Sequence, residues 1–238
     1  MTWVLFYILR MRKVFFVVLL LLSTQCFAEN LQDSLKNIES EWASIYYSTS
    51  KNKQGPAYVR LLDKTTNLVQ QYPNNAEPIF WQAVVKASYA DHQDPFSALN
   101  AIHEARDLLV KAIEINPETM SGSAYVTLGT LYYMAPKWPV AFGDDQEAKK
   151  MLETALKINP EGIDTNYFYG EFLLLHNKPK DAAIYFKRAT TAPARTEQLF
   201  ADNQLKAEAR LALKNTTERK ISGEKGIFLS LFNSASTK

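Results

Sequence analysis

The stretch "YVTLGTLY", Tyr125–Tyr132, decides how the chain is read. Tyr125, Leu128, Gly129 and Tyr132 fall at helical spacing on one face, with a glycine in the middle of an apolar stripe. Downstream lies a second helical pattern, "MLETALKINP" (Met151–Pro160). That ending recurs in "LLVKAIEINP" (Leu108–Pro117) and "YFKRATTAP" (Tyr185–Pro193). Pro117 and Pro160 are 43 residues apart, Pro160 and Pro193 are 33 apart, and Pro73 precedes Pro117 by 44. A unit of this size repeated along a chain means stacked supersecondary pieces.

These residues resemble the tetratricopeptide repeat (TPR), whose pattern places a leading aromatic, Leu-Gly and Tyr on a first helix, then A-x3-F, a further alanine and a closing proline. Tyr125, Leu128, Gly129 and Tyr132, followed by Ala148, Leu152, Ala155 and Pro160, match it in register. Gly170, Ala182, Phe186 and Ala189 match it again, without the leading aromatic and with Pro193 one residue early. Ala105, Leu109 and Ala112 keep the second helix of an earlier unit, whose first helix, Ile79–Tyr89, matches poorly. The resemblance implies an all-α, TPR-like solenoid of antiparallel helix pairs, about eight or nine helices over residues 29–214. Gly129, Gly170, Ala148 and Ala182 are expected where helices cross closely, and Tyr125, Tyr132, Leu152 and Phe186 are expected to fill the space between. Flanking helices are expected near 31–48, 56–71 and 202–214. A linker and the short apolar tail "IFLSLFN" occupy 215–238.

The unit ending at Pro160 is long. Seven extra residues fall within "MAPKWPVAFGDD" (Met134–Asp145). Trp138 and Phe142 are expected to fold onto the helices, Gly143 to take a positive φ, and Asp144 to cap the next helix with Glu147 as its capping-box partner. Two readings stay open: an anchored structural loop, or a loop overhanging the groove as part of a binding site. In repeats of this type the first helices line the concave face. That register presents Ser123, Val126, Thr130 and Tyr133 from one unit and Asp164, Tyr167, Glu171 and Leu174 from the next. Such a lining suits a small polar–apolar ligand or an extended peptide. The alternative makes Tyr133 and Tyr167 packing residues and Asp164 a helix N-cap.

Arg10, Arg12 and Lys13 precede "VFFVVLLLL" (Val14–Leu22) and a small-x-small end, the pattern of a secretory signal peptide over residues 1–28, cleaved between Ala28 and Glu29. An uncleaved anchor is the alternative, but Val14–Ala28 gives fifteen residues where a span needs about 20. Either Met1 or Met11 suits the start. Cleavage removes Cys26, the one cysteine, and leaves 24 basic against 25 acidic residues. No basic stripe supports nucleic-acid binding. His92, His103 and His176 stand in no metal-binding spacing, and no nucleophile elbow, P-loop or dinucleotide fingerprint is present. "DHQD" (Asp91–Asp94) reads as a solvated turn. The chain is expected to be no enzyme, with no cofactor and no metal.

A narrower resemblance covers "LYYMAPKWPVAFGDDQEAKKMLETALKINPEGIDTNYFYGEFLL". It is similar to bacterial secreted repeat proteins with a W-P-x-x-F-G-D loop, a group similar to the TatT-type T component of periplasmic TRAP transport systems. That likeness implies a periplasmic protein with a ligand-accommodating pore, partnered by a solute-binding protein. The alternative function is a scaffold for envelope assembly or secretion with no small-molecule ligand. Partner identity and oligomeric state are left open.

Overall fold

The computed structural model describes residues 31–217. The predicted signal segment, its cleavage site at Ala28 and Glu29, and the tail at 227–233 lie outside the described residues. The chain divides into two compact units, Met1–Asn37 and Ile38–Lys238. In the first, residues 31–37 are helical. Everything that follows concerns the second.

The described chain is helical throughout. Residues up to 48 form α1. Then come α2 (Lys51–Gln71), α3 (Ala76–Ala90), α4 (Pro95–Ile115), α5 (Ser123–Met134), α6 (Asp145–Ile158), α7 (Ile163–Leu175), α8 (Pro179–Thr191) and α9 (Leu199–Thr217). Short 3₁₀ turns at Thr119–Gly122 and Thr196–Gln198 precede α5 and α9. Helices α3–α4, α5–α6 and α7–α8 pack as successive hairpins and α9 packs on α8 and closes the series, while α1 and α2 are joined by Gln54 on the Ile45 carbonyl and Lys64 on Glu41.

The second helices carry the repeat. Ala105, Leu109 and Ala112 in α4, Ala148, Leu152 and Ala155 in α6, and Ala182, Phe186 and Ala189 in α8 are all fully buried. A small residue at i and i+7 lets the neighbouring backbone approach, and the large residue between them fills the gap. The first helices meet them at glycine. A Cβ on Gly129 would lie 2.8 Å from Leu152 Cγ and 3.1 Å from the Ala148 carbonyl oxygen. A Cβ on Gly170 would lie 2.8 Å from Phe186 Cε1. Helix α3 departs from the pattern because it is buried on nearly every side. A helix surrounded by others needs no polar stripe.

Side chains set the helix ends. Asp94 accepts from the backbone N–H groups of Phe96 and Ser97 and starts α4 with Pro95 at the first position. Asn177, at φ 56°, ends α7, with Lys178 N–H donating to the Leu173 carbonyl at 2.9 Å. Two boundaries differ from expectation. Helix α2 begins at Lys51, ahead of Pro56, because buried Gln54 donates its amide to the carbonyls of Ile45, Tyr46 and Thr49. It thereby satisfies the end of α1 from within the next helix. Helix α9 starts at Leu199 and reaches Thr217, longer than the 202–214 expected. The "DHQD" segment is a turn: Asp91 pairs with Lys51 and His92 packs on Tyr58.

The loop between α5 and α6 corrects several expectations. Trp138 is 86% exposed and Val140 60%, so Trp138 does not anchor the loop. The niche is taken by Phe142, edge-on to Tyr132 and His103 and capped by the Arg106 guanidinium 4.7 Å from its centroid. Gly143 has no positive φ. It is there because a Cβ would stand 2.1 Å from the Ala135 carbonyl oxygen and 2.9 Å from that of Pro136. Its N–H donates to the Pro136 carbonyl at 2.9 Å, and Asp144 N–H donates to that of Tyr132 at 2.9 Å. Backbone pairing therefore closes the loop, which also holds a cis Trp138–Pro139 bond. Asp144 caps α6 by accepting from Gln146 and Glu147 N–H. The reciprocal capping-box bond is not made: Asp144 N–H is already committed to Tyr132, and Glu147 turns to Lys150.

Candidate functional site

The first helices of the hairpins and α9 face inward around a cavity of about 110 Å³. Each helix contributes a stripe at helical spacing. Ser123, Val126, Thr127 and Thr130 come from α5, and Asp164, Tyr167, Phe168 and Glu171 from α7. Both sets repeat at i, i+3, i+4 and i+7, one face of a helix. Glu39, Trp42, Tyr46 and Tyr47 enter from α1, and Phe80, Trp81 and Val84 from α3. The far wall is Ala201, Asp202, Leu205 and Glu208 of α9, with Arg195 and Gln198 just before. Tyr47 and Phe200 meet edge to face at 6.1 Å, so the superhelix curves until its last helix touches α1.

Six of the eight residues expected on the concave face line this cavity: Ser123, Val126, Thr130, Asp164, Tyr167 and Glu171. Tyr133 and Leu174 do not. They lie one turn further along, where Tyr133 packs on Phe172 at 5.9 Å and Leu174 joins the core. None of Trp138, Phe142, Gly143 and Asp144 lines the cavity. Phe142 sits against α4, so the loop does not overhang the groove. Asp164 is not the N-cap of α7. That place belongs to Gly162, and Asn166 instead donates to the carbonyls of Pro160 and Gly162 at 2.8 Å each.

The walls divide into two regions. In one, Arg195 holds Asp202 by its backbone N–H at 2.7 Å, its Nε at 3.1 Å and its Nη2 at 2.6 Å. Asp202 is 1% exposed, so this fork satisfies a buried charge. Asp164 stands 3.9 Å from Arg195 Nη1, accepts from Thr165 N–H and from the Ser123 hydroxyl, and so bridges α5, α7 and the turn before α9. Met120 overlooks this end from a left-handed backbone, φ 51°, followed by Ser121 at 53°.

The other region is aromatic and acidic. Trp42 stacks on Tyr46 at 5.1 Å and meets Trp81 at 5.8 Å, its indole N–H donating to Ser88 Oγ at 2.9 Å. Tyr46 and Tyr47 pack edge-on at 4.8 Å. Tyr167 donates its hydroxyl to Glu171 Oε1 at 3.0 Å. Burial pushes the Glu171 carboxyl up to about 7, with the Tyr167 hydrogen bond working the other way. Glu208 is pushed up to about 8, first by burial and then by the Glu171 charge. Glu39, 6% exposed, is pushed up to about 7 by burial, against the pull of Arg195. The expected lining left out the walls that α1, α3 and α9 supply, although helices were expected at all three. Their signal was available: Glu39, Trp42 and Tyr46, like Gln198, Ala201, Asp202, Leu205 and Glu208, keep the same helical spacing. Among the described residues no cluster of three or more metal-ligating side chains occurs, and no helix is long and apolar enough to cross a membrane.

No protein-family model matches this sequence, and no curated protein matches it. Among solved structures the chain is similar to a thermophilic TPR protein from Thermus thermophilus, with a TM-score of 0.54 at 15% identity. The match covers 87% of this chain and 98% of that one. The likeness is one of fold, and with the buried alanine repeat and the glycine crossings it makes this an all-α chain of TPR-like architecture.

Proposed function

We propose that this chain is a non-enzymatic binding protein of the bacterial cell envelope, which holds a small molecule in its inner cavity and presents it to a protein partner. The observation that carries this reading is the partial closure of the inner groove by α9. A TPR-like stack that only displayed a docking face would leave its inner groove open, whereas here α9 reaches round to the aromatic wall of α1. Small-molecule sites are concave, largely apolar and furnished with a few polar groups, as this one is. The export pattern of residues 1–28 supports a periplasmic location, with cleavage after Ala28. The resemblance to the TatT-type component supports an accessory role in solute uptake beside a periplasmic solute-binding protein.

The test is to recover the chain from the periplasm of its host and identify by mass spectrometry any small molecule released on denaturation. The same preparation shows whether the chain starts at Glu29. Ala201→Trp fills the cavity from its α9 wall and is expected to abolish co-purification while the melting temperature holds. A chain that carries no molecule, and that gains none on exposure to envelope extract, overturns the reading.

A second reading has one observation in its favour. Trp138 and Val140 stand exposed on a loop closed by its own backbone, which suits a protein-interaction scaffold with no small ligand. Trp138→Ala then loses a protein partner, and Ala201→Trp loses nothing.

A further inference from the structure

Building on the cavity reading above, we propose that the molecule held there is an organic cation, with an ammonium group carried on a small apolar body. The charge balance of the lining points to this. Five acidic residues line the cavity, Glu39, Asp164, Glu171, Asp202 and Glu208, against the single guanidinium of Arg195. Arg195 is committed to Asp202 and Asp164. Glu39, Glu171 and Glu208 have no ion pair within 4.0 Å among the described residues; the half-buried Glu171 and Glu208 have Tyr167 beside them, and Glu39, more than nine-tenths buried, has no hydrogen bond among the described residues. An unmatched buried carboxylate is costly. An apolar ligand would leave that cost in place, and an anionic one would add to it. A cation removes it.

The remaining wall supplies what an ammonium group needs besides charge. Trp42, Tyr46 and Tyr47 form one contiguous aromatic cluster. Burial, followed by Tyr47 and then Glu208, raises the Tyr46 hydroxyl above its ordinary range, and these rings line the same cavity as the carboxylates. Aromatic faces beside carboxylates are the recognised way to hold alkylammonium groups. The raised carboxyls of Glu39, Glu171 and Glu208 imply that the empty cavity holds protons near neutral pH. A fixed cation displaces them, so binding releases protons to the buffer. Asp164, Asp202 and Arg195 are the other charged groups facing the same space.

The experiment is titration calorimetry near pH 8 with choline and benzyltrimethylammonium as cationic probes. Dimethylbutanol serves as the uncharged isostere of choline and dimethylbutyrate as the matched anion. The expected result is that at least one cation binds about tenfold or more tightly than dimethylbutanol, that dimethylbutyrate does not bind, and that proton release appears in buffers of different ionisation enthalpy. Glu171→Gln and Glu208→Gln keep the shape of the wall and are each expected to erase the preference of cation over isostere, in variants at least as stable as the parent. If isostere or anion binds as well as the cations, the cation inference is overturned while the cavity remains a binding site. If neither cation binds, the inference is overturned as well, and the fate of the cavity reading is decided separately by co-purification and Ala201→Trp.

Discussion

Trp138 and Phe142 are four residues apart in one loop, and their side chains meet opposite fates. Replacing each by alanine separates what closes the loop from what it displays. Phe142 is partly buried and touches Tyr132, His103 and the Arg106 guanidinium. Full truncation of a buried phenylalanine costs about 3–5 kcal/mol, and a half-buried one about half of that. Phe142→Ala is therefore expected to destabilise the fold by about 2 kcal/mol, a fall of about 4–8 °C in melting temperature for a domain of this size. Trp138, 86% exposed, has little packing to lose, and Trp138→Ala is expected to stay within about 0.5 kcal/mol of the parent. Urea denaturation followed by circular dichroism measures both, with equal m-values as the check that the same cooperative unit is unfolding. If Trp138→Ala lowers the midpoint as far as Phe142→Ala, the loop is held by its tryptophan and the account of its closure is wrong.

The remaining expectations use the same assay or a simple extension of it. Gly129→Ala gains about 0.5–1 kcal/mol of helix propensity but drives a Cβ to 2.8 Å from Leu152 Cγ, and overpacking costs about 1–3 kcal/mol. A lower melting temperature is expected, and a higher one shows that α5 and α6 can part without loss. Gly143→Ala, with its Cβ at 2.1 Å from a carbonyl oxygen, is expected to cost more than Gly129→Ala, since backbone must move. Gln54→Ala strips the carbonyls of Ile45, Tyr46 and Thr49 of their donor and is expected to cost about 1–3 kcal/mol. Native-state hydrogen exchange should place the loosening at the α1–α2 turn rather than across the molecule. For pH, Glu39 and Glu171 titrate near 7 and Glu208 near 8 in the fold, against about 4.3 unfolded. The native state thus holds more protons than the unfolded one between these values, and stability falls as pH rises through that window. A loss of about 2–4 kcal/mol from pH 5 to 8 is expected, well below the sum of the separate shifts because the groups interact and are partly solvated. A melting temperature that rises over the same range contradicts the burial of these carboxyls.

The parts of the fold that were legible in the sequence are those fixed by local contact. Ala148, Leu152 and Ala155 lie on one helix and touch the helix beside them, so their spacing carries the whole message. The same local rule puts Ser123, Val126, Thr130, Asp164, Tyr167 and Glu171 on the inner faces of their helices. What escaped was decided by competition or by closure. Trp138 and Phe142 are equally apolar candidates for one niche between α4 and α5, and nothing in their spacing says which one the backbone pairing of Lys137 with Gly143 will aim inward. Asp202 looks like an ordinary helix-start acid until Arg195 folds back onto it. Glu39 and Glu208 share a cavity only because the accumulated rotation of successive hairpins brings α9 round to α1, and small angles per repeat add up in a way that no short window of sequence encodes.

That closure also shows which residues the architecture needs and which it merely carries. Stacking hairpins requires the alanines, the crossing glycines and the large apolar residues between them, and all of these face neighbouring helices. No helix crossing involves Glu39, Glu171 or Glu208, which face the cavity instead. Leucine or methionine at those positions would complete the apolar wall, spare the desolvation of three carboxyls and raise stability, as the replacement of buried ionic groups by packed apolar ones often does. Under the binding role proposed above, the acids lower the stability of the empty protein for a reason outside its fold, a trade of stability for function that proteins make at their sites. Trp138 is the converse case: an exposed tryptophan neither helps the fold nor harms it, so its presence says far less about what the molecule does than three carboxyls turned into its interior.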